Sequence, residues 1–183
     1  MSEIINLTES GITFNLVKNN LFYIEPYIRK RRQEGIKTVE FIYLQEDNLL
    51  FVEAKQSIPN QERSPERFDE YISEIYQKWC NALNVEILGI LGREDIKETI
   101  MPSAFSNLQW GSIEIKLLLV IPDVPLNYLG QLNELIKQEF NKKDTLRLIS
   151  LWNISVEVIN RDLAIQKGLG RVPNLNKPKR ALF

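Results

Sequence analysis

The chain has 183 residues, 44% of them hydrophobic and 26% charged, with 23 basic against 24 acidic side chains and a net charge of -1. That is the make-up of one globular domain with material for a real core, and it lacks the strongly basic balance of a domain that binds nucleic acid by bulk electrostatics. It has no histidine and one cysteine, Cys80, which excludes Ser-His-Asp and Cys-His catalysis, an intramolecular disulfide and a cysteine zinc site.

In chain order, residues 11–17 alternate as a short strand, and Leu21 to Glu25 reads as its hairpin partner, ended by Pro26. Tyr27 to Gly35 is a basic connection carrying Arg29, Lys30, Arg31 and Arg32, read as a helical stretch closed by Gly35. Two β-rich runs follow, residues 38–44 and 49–57, separated by the turn-like Gln45-Glu46-Asp47-Asn48. Period-2 geometry puts Glu53 and Lys55 on one face of the second run, and pairing about the turn brings Glu40 of the first run to the same face. Residues 58–63 form a polar loop directly after this triplet.

Ser64-Pro65-Glu66 is a helix start, with Ser64 as N-cap, Pro65 at the first helical position and Glu66 in the positive-dipole turn. Phe68, Tyr71, Ile72, Ile75, Trp79 and Leu83 make its apolar stripe, Cys80 packs on the apolar side, and Asp69, Glu70, Ser73, Gln77 and Lys78 are expected to face away. The run Val85 to Leu91 reads equally as helix or strand, and residues 93–111 are irregular. Residues 112–121 form a buried strand and Leu126 to Phe140 a second amphipathic helix, with Leu129, Leu132, Ile136 and Phe140 in register. Residues 146–152 lead into a last strand, Ile154 to Ile159. The expected division is one domain over residues 1–170 and a basic tail over 171–183. The order fits an α/β fold, a mixed central sheet flanked by helices. With no apolar run long enough to span a bilayer and no signal-peptide pattern in residues 1–10, a cytoplasmic protein without membrane contact is the expectation.

An acid on one strand of a hairpin and Glu53-Ala54-Lys55 at the end of the next, followed by an amphipathic helix, resembles the PD-(D/E)XK nuclease superfamily. The resemblance covers roughly the first half of the chain and implies a restriction-endonuclease-like fold and hydrolysis of phosphodiester bonds, DNA favoured, by an endonuclease or exonuclease. It implies Mg²⁺ or Mn²⁺ held by Glu40, Glu53 and the backbone carbonyl of Ala54, with Lys55 orienting the attacking water and offsetting negative charge. Glu25 and Gln56 are additional candidates, and Arg29 to Arg32 a candidate phosphate contact. So small a core points to a homodimer or a partner subunit. The absence of a phosphate-binding glycine loop leaves carboxylate, lysine and metal chemistry as what the residues offer. A non-catalytic α/β module that binds a protein, or a subunit that binds nucleic acid without cutting it, passes the same filters. In those readings Glu53 and Lys55 are charges on a solvated sheet face.

Overall fold

The structure is a computed structural model that describes residues 3–25, 28, 36–91, 101–142 and 152–171. The chain opens with a hairpin of β1 (Ile4–Glu9) and β2 (Ile12–Val17) joined by Ser10 and Gly11. Both linking residues have positive φ, 47° and 83°, the conformation a two-residue type I′ turn demands. β3 (Leu21–Phe22) does not return on β2 as the sequence suggested. It pairs antiparallel with β4 (Phe41–Gln45), and β1 takes the place beside β2. The exchange has a packing cause: β2 turns Ile12, Phe14 and Leu16 onto the main sheet as a separate layer, whereas Leu21 and Phe22 extend that sheet at its edge.

The main sheet has five strands in the order β3-β4-β5-β6-β7, with β5 (Asn48–Ala54), β6 (Glu114–Val120) and β7 (Ser155–Ile159). The links β3-β4 and β4-β5 are antiparallel; β5-β6 and β6-β7 are parallel. β4 and β5 are joined by Glu46 and Asp47 alone, with Glu46 at φ 53°. From Leu49 to Ala54 every residue of β5 is buried, as a central strand covered on both faces must be.

One face carries α1 (Pro65–Ile90) and α2 (Leu126–Lys142), whose apolar stripes pack with Leu49, Phe51, Leu117 and Leu119. The other carries the β1-β2 hairpin and a short α3 (Arg161–Gln166), which cover Phe41, Leu50, Val52 and Leu118. Phe68, Ile72, Ile75 and Trp79 of α1 are buried as their spacing predicted, with Tyr71 and Leu83 partly buried beside them. Cys80 is a half-buried free thiol on the same helix, its proton held more tightly because of burial. The helix continues unbroken through Ile90, which assigns Val85 to Ile90 to helix and not strand.

Pro65 and Glu66 begin α1 as expected, but the Ser64 side chain caps nothing. The Asn60 side chain instead accepts from the Arg63 amide at 2.9 Å, and its carbonyl accepts from the Ser64 amide at 3.0 Å. α2 is fastened to the sheet edge by Asn133, whose side chain accepts from the Val158 amide at 2.7 Å and donates to its carbonyl at 2.9 Å. α3 is a helix the sequence reading left out, although Asn160 caps it by accepting from the Leu163 amide at 3.0 Å. Gly170 bridges to Phe14 and the Arg171 amide donates to the Thr13 carbonyl; residues 172–183 of the expected tail lie outside the described residues. No helix among the described residues is long and apolar enough to cross a membrane.

Candidate functional site

The last β4-β5 pair is Phe41 with Val52, and the Glu40 amide extends the ladder by donating to the Val52 carbonyl at 3.0 Å. Glu40 therefore sits at the very end of the ladder, just before β4 begins. Alternation does the rest: Leu49 and Phe51 face α1 and α2, so Glu53 and Lys55 face them too, while Leu50, Val52 and Ala54 face the hairpin layer. The acid pair and the lysine that the sequence placed on one face are therefore brought together.

α1 supplies what the sequence did not. Lys78 was expected to face away, yet its Nζ lies 2.7 Å from Glu53 Oε1 and 4.0 Å from Glu40 Oε1. The correction is geometric: Lys78 borders Trp79 at the margin of the apolar stripe, and a long side chain at that margin reaches down to the strand ends. Glu74, one helical turn earlier on the same side, takes Lys55 at 3.0 Å, and Lys55 is also 3.4 Å from Glu53 Oε1. Lys37 stands 3.9 Å from Glu74 at the rim. A signal was present in the sequence, since Tyr71, Glu74 and Lys78 follow at i, i+3 and i+7 along one side of the helix.

The electrostatics follow from this geometry. Glu53 has no exposed side-chain surface, and burial raises its proton affinity against the opposing pull of Lys78 and Lys55. Glu40 is pushed up to about 8, first by burial and then by the charge of Glu53; Lys78 opposes the shift, and Glu9 and Glu25 add to it. For Lys55 burial works against the charge, but Glu53 and Glu74 outweigh it and hold the ammonium above its ordinary range. Glu74 is held below the ordinary range, chiefly by its hydrogen bond from Lys55. Tyr71 is raised by burial and by Glu53 and Glu74.

Beside these groups lies a cleft of about 320 Å³ whose polar lining is Glu25, Lys37, Thr38, Glu74 and Lys78. Glu25 thus joins the periphery of the site. Gln56 is exposed one residue beyond Lys55, and Arg29, Lys30, Arg31 and Arg32 lie outside the described residues. The Ala54 carbonyl, expected as a ligand, accepts from Ser10 Oγ at 2.9 Å, which uses one of its two lone pairs.

The donor set can be tested against a hard divalent cation. Among the described residues, no group of three or more acidic or thiol side chains gathers at coordinating spacing. Mg²⁺ asks for less: one or two carboxylates suffice, because it keeps several waters. Glu53 Oε2 is buried with no hydrogen-bond partner among the described residues, an oxygen left over in an acid pair. Glu40 and Glu53 supply the number and type of ligands such an ion asks for.

About two turns beyond Lys78 on α1, Glu86 is also buried, and neither of its oxygens has a hydrogen-bond partner among the described residues. Burial alone pushes it up to about 8. It has the depth of Glu53 without a charged neighbour among the described residues. Against protein-family models, curated proteins and solved structures alike, the chain shows no match.

Proposed function

We propose that this chain is a divalent-metal-dependent nuclease of the PD-(D/E)XK type, with a restriction-endonuclease-like fold and DNA as the favoured substrate. The observation that carries the reading is the convergence of Glu40 and Glu53 on Lys78, at 4.0 and 2.7 Å, with Lys55 3.4 Å from Glu53 and Glu53 Oε2 unpartnered among the described residues. The mixed sheet agrees, since the acid pair sits where an antiparallel hairpin meets a parallel neighbour. When bound, Mg²⁺ or Mn²⁺ held by Glu40 and Glu53 would supply Lewis-acid stabilisation of the charge that builds on the phosphoryl oxygens.

The protein's own groups have defined parts in this reading. Lys55 holds its proton tightly between Glu53 and Glu74 and presents a fixed positive charge to a phosphate at the strand ends. In the metal-free protein Glu40 is pushed up to about 8 by burial and by Glu53, so it would have to give up its proton to hold the ion. Thr38 lines the cleft and carries a buried hydroxyl without a partner among the described residues, a donor left over for a polar ligand.

The test is calorimetric titration of Mn²⁺ and Mg²⁺ into the wild type and Glu53→Gln, then incubation of both with plasmid and single-stranded DNA. Binding and cleavage by the wild type, lost in the variant, support the reading. Equal cleavage by both proteins would end it. One observation favours a second reading, a non-catalytic module: Lys78 already neutralises Glu53. Its signature is a wild type that binds neither ion and cuts neither DNA.

A further inference from the structure

Lys78 stands between the two acids that an entering cation would need. A single ammonium lies 2.7 Å from Glu53 Oε1 and 4.0 Å from Glu40 Oε1 and so meets both acids. Lys55 is differently placed, because its shorter contact is to Glu74 and it meets Glu53 from 3.4 Å. Lys78 also comes from another element, the rigid α1, and its side chain is 14% exposed where it lines the cleft. Glu40, Glu53 and Glu74 face Lys55, Lys78 and, at the rim, Lys37, three acids against three ammoniums, so a divalent ion added beside an unmoved Lys78 would bring like charges to within a few ångströms. In a poorly hydrated site such neighbours repel strongly. The two occupancies exclude one another.

Building on the nuclease reading, we propose that Lys78 is the resident counter-ion of the site: it holds Glu53 and Glu40 in the metal-free protein and is displaced when a divalent ion enters. The side chain suits this use. A compact ammonium on a flexible four-carbon stem can leave Glu53 and turn into the adjoining cleft without any movement of the helix that carries it. The orphan Glu53 Oε2 is consistent with it, since one ammonium at Oε1 leaves the second oxygen unused. Lys78 is thus a positioning residue that keeps the acids paired and preformed, and metal entry trades one cation for another.

The experiment is Mn²⁺ titration by calorimetry of the full chain as wild type, Lys78→Met and Lys78→Arg, with thermal melting of each with and without Mn²⁺. Lys78→Met is expected to bind Mn²⁺ about tenfold tighter than the wild type, the factor one charge-assisted contact supplies, while Lys78→Arg, which keeps the competing charge, is not. The melting temperature of Lys78→Met should be the lowest of the three without metal and should gain most from it. Equal and measurable affinities in the wild type and Lys78→Met overturn the inference and leave the metal reading standing. Absence of binding in every protein overturns both. A second measurement does not depend on the methionine variant folding. With the lysines carrying isotopically labelled methyl groups, the Lys78 signal, identified by its loss in Lys78→Arg, should move as Mg²⁺ is added; an unmoved signal at saturation overturns the inference.

Discussion

Glu53 on β5 and Glu86 on α1 are exposed by 0% and 1%, and they could hardly differ more in company. Glu53 has two ammonium groups within 3.4 Å, and one of its oxygens remains without a partner. Glu86 has two unpartnered oxygens among the described residues and a raised proton affinity due to burial alone. Depth therefore does not make a site. What distinguishes the region around Glu53 is that strand alternation and a helix margin deliver charges of both signs to one point, so two ammoniums oppose the rise in proton affinity that burial imposes there. Around Glu86 a negative charge is a cost, and the group avoids it by keeping its proton.

Substitution by leucine should separate the two. Glu53→Leu is expected to abolish Mn²⁺ binding in calorimetry and to lower unfolding free energy by about 3 kcal/mol in urea titrations, because Lys78 is left with only the more distant Glu40. Glu86→Leu should act in the opposite direction, raising stability by about 1–3 kcal/mol at pH 8 as an unsatisfied polar group is removed from the core. A destabilised Glu86→Leu would show that Glu86 makes a favourable contact in the folded protein.

The comparison sharpens with pH. At pH values below the ordinary carboxylate range, Glu86 is neutral in both folded and unfolded chains and costs nothing through ionisation. As pH rises from 4.5 towards about 8, the unfolded chain loses that proton while the folded chain keeps it, so stability falls; once the folded carboxyl ionises as well, the loss levels off. Glu40, raised for a similar reason, contributes a slope of the same sign. Thermal melts of the wild type across this window should show the decline, and Glu86→Gln should remove part of it. The smallest expected effect is at the hairpin tip, where Ser10→Ala deletes the hydrogen bond to the Ala54 carbonyl and should cost about 1 kcal/mol in the same assay. A melt indistinguishable from the wild type would show that the tip does not brace the strand end.

Glu40, Glu53 and Lys55 were legible because strand alternation is local: a two-residue link fixes the register, and every second side chain shares a face. The central strands and the stripes of α1 and α2 were legible for the same reason. Lys78 was misread because a helical wheel sorts residues into inside and outside, and a lysine at the margin belongs to both. β3 was assigned to the wrong partner because Leu21 follows β2 closely in the chain, whereas its true neighbour, Tyr43, is fixed only by the assembled sheet. β1 was overlooked because its residues are exposed or half-buried and present no continuous apolar run. Glu86 passed unnoticed inside a run that reads equally as helix or strand, and no local pattern marks a buried acid whose oxygens have no partner among the described residues.

Every group in the charged cluster, from Lys37 to Lys78, comes from one continuous stretch of chain. The entropy of closing a loop grows with its length, so bringing Glu40 to Glu53 through a two-residue link, and Lys78 to both through the helix that follows, requires only short closures. β6 and β7 must cross back over far longer segments to complete the sheet. During synthesis, the whole charge constellation leaves the ribosome before β6 does. The ion pairs are thus all local to the hairpin and the helix that follows it, and none of them needs a side chain from β6 or β7.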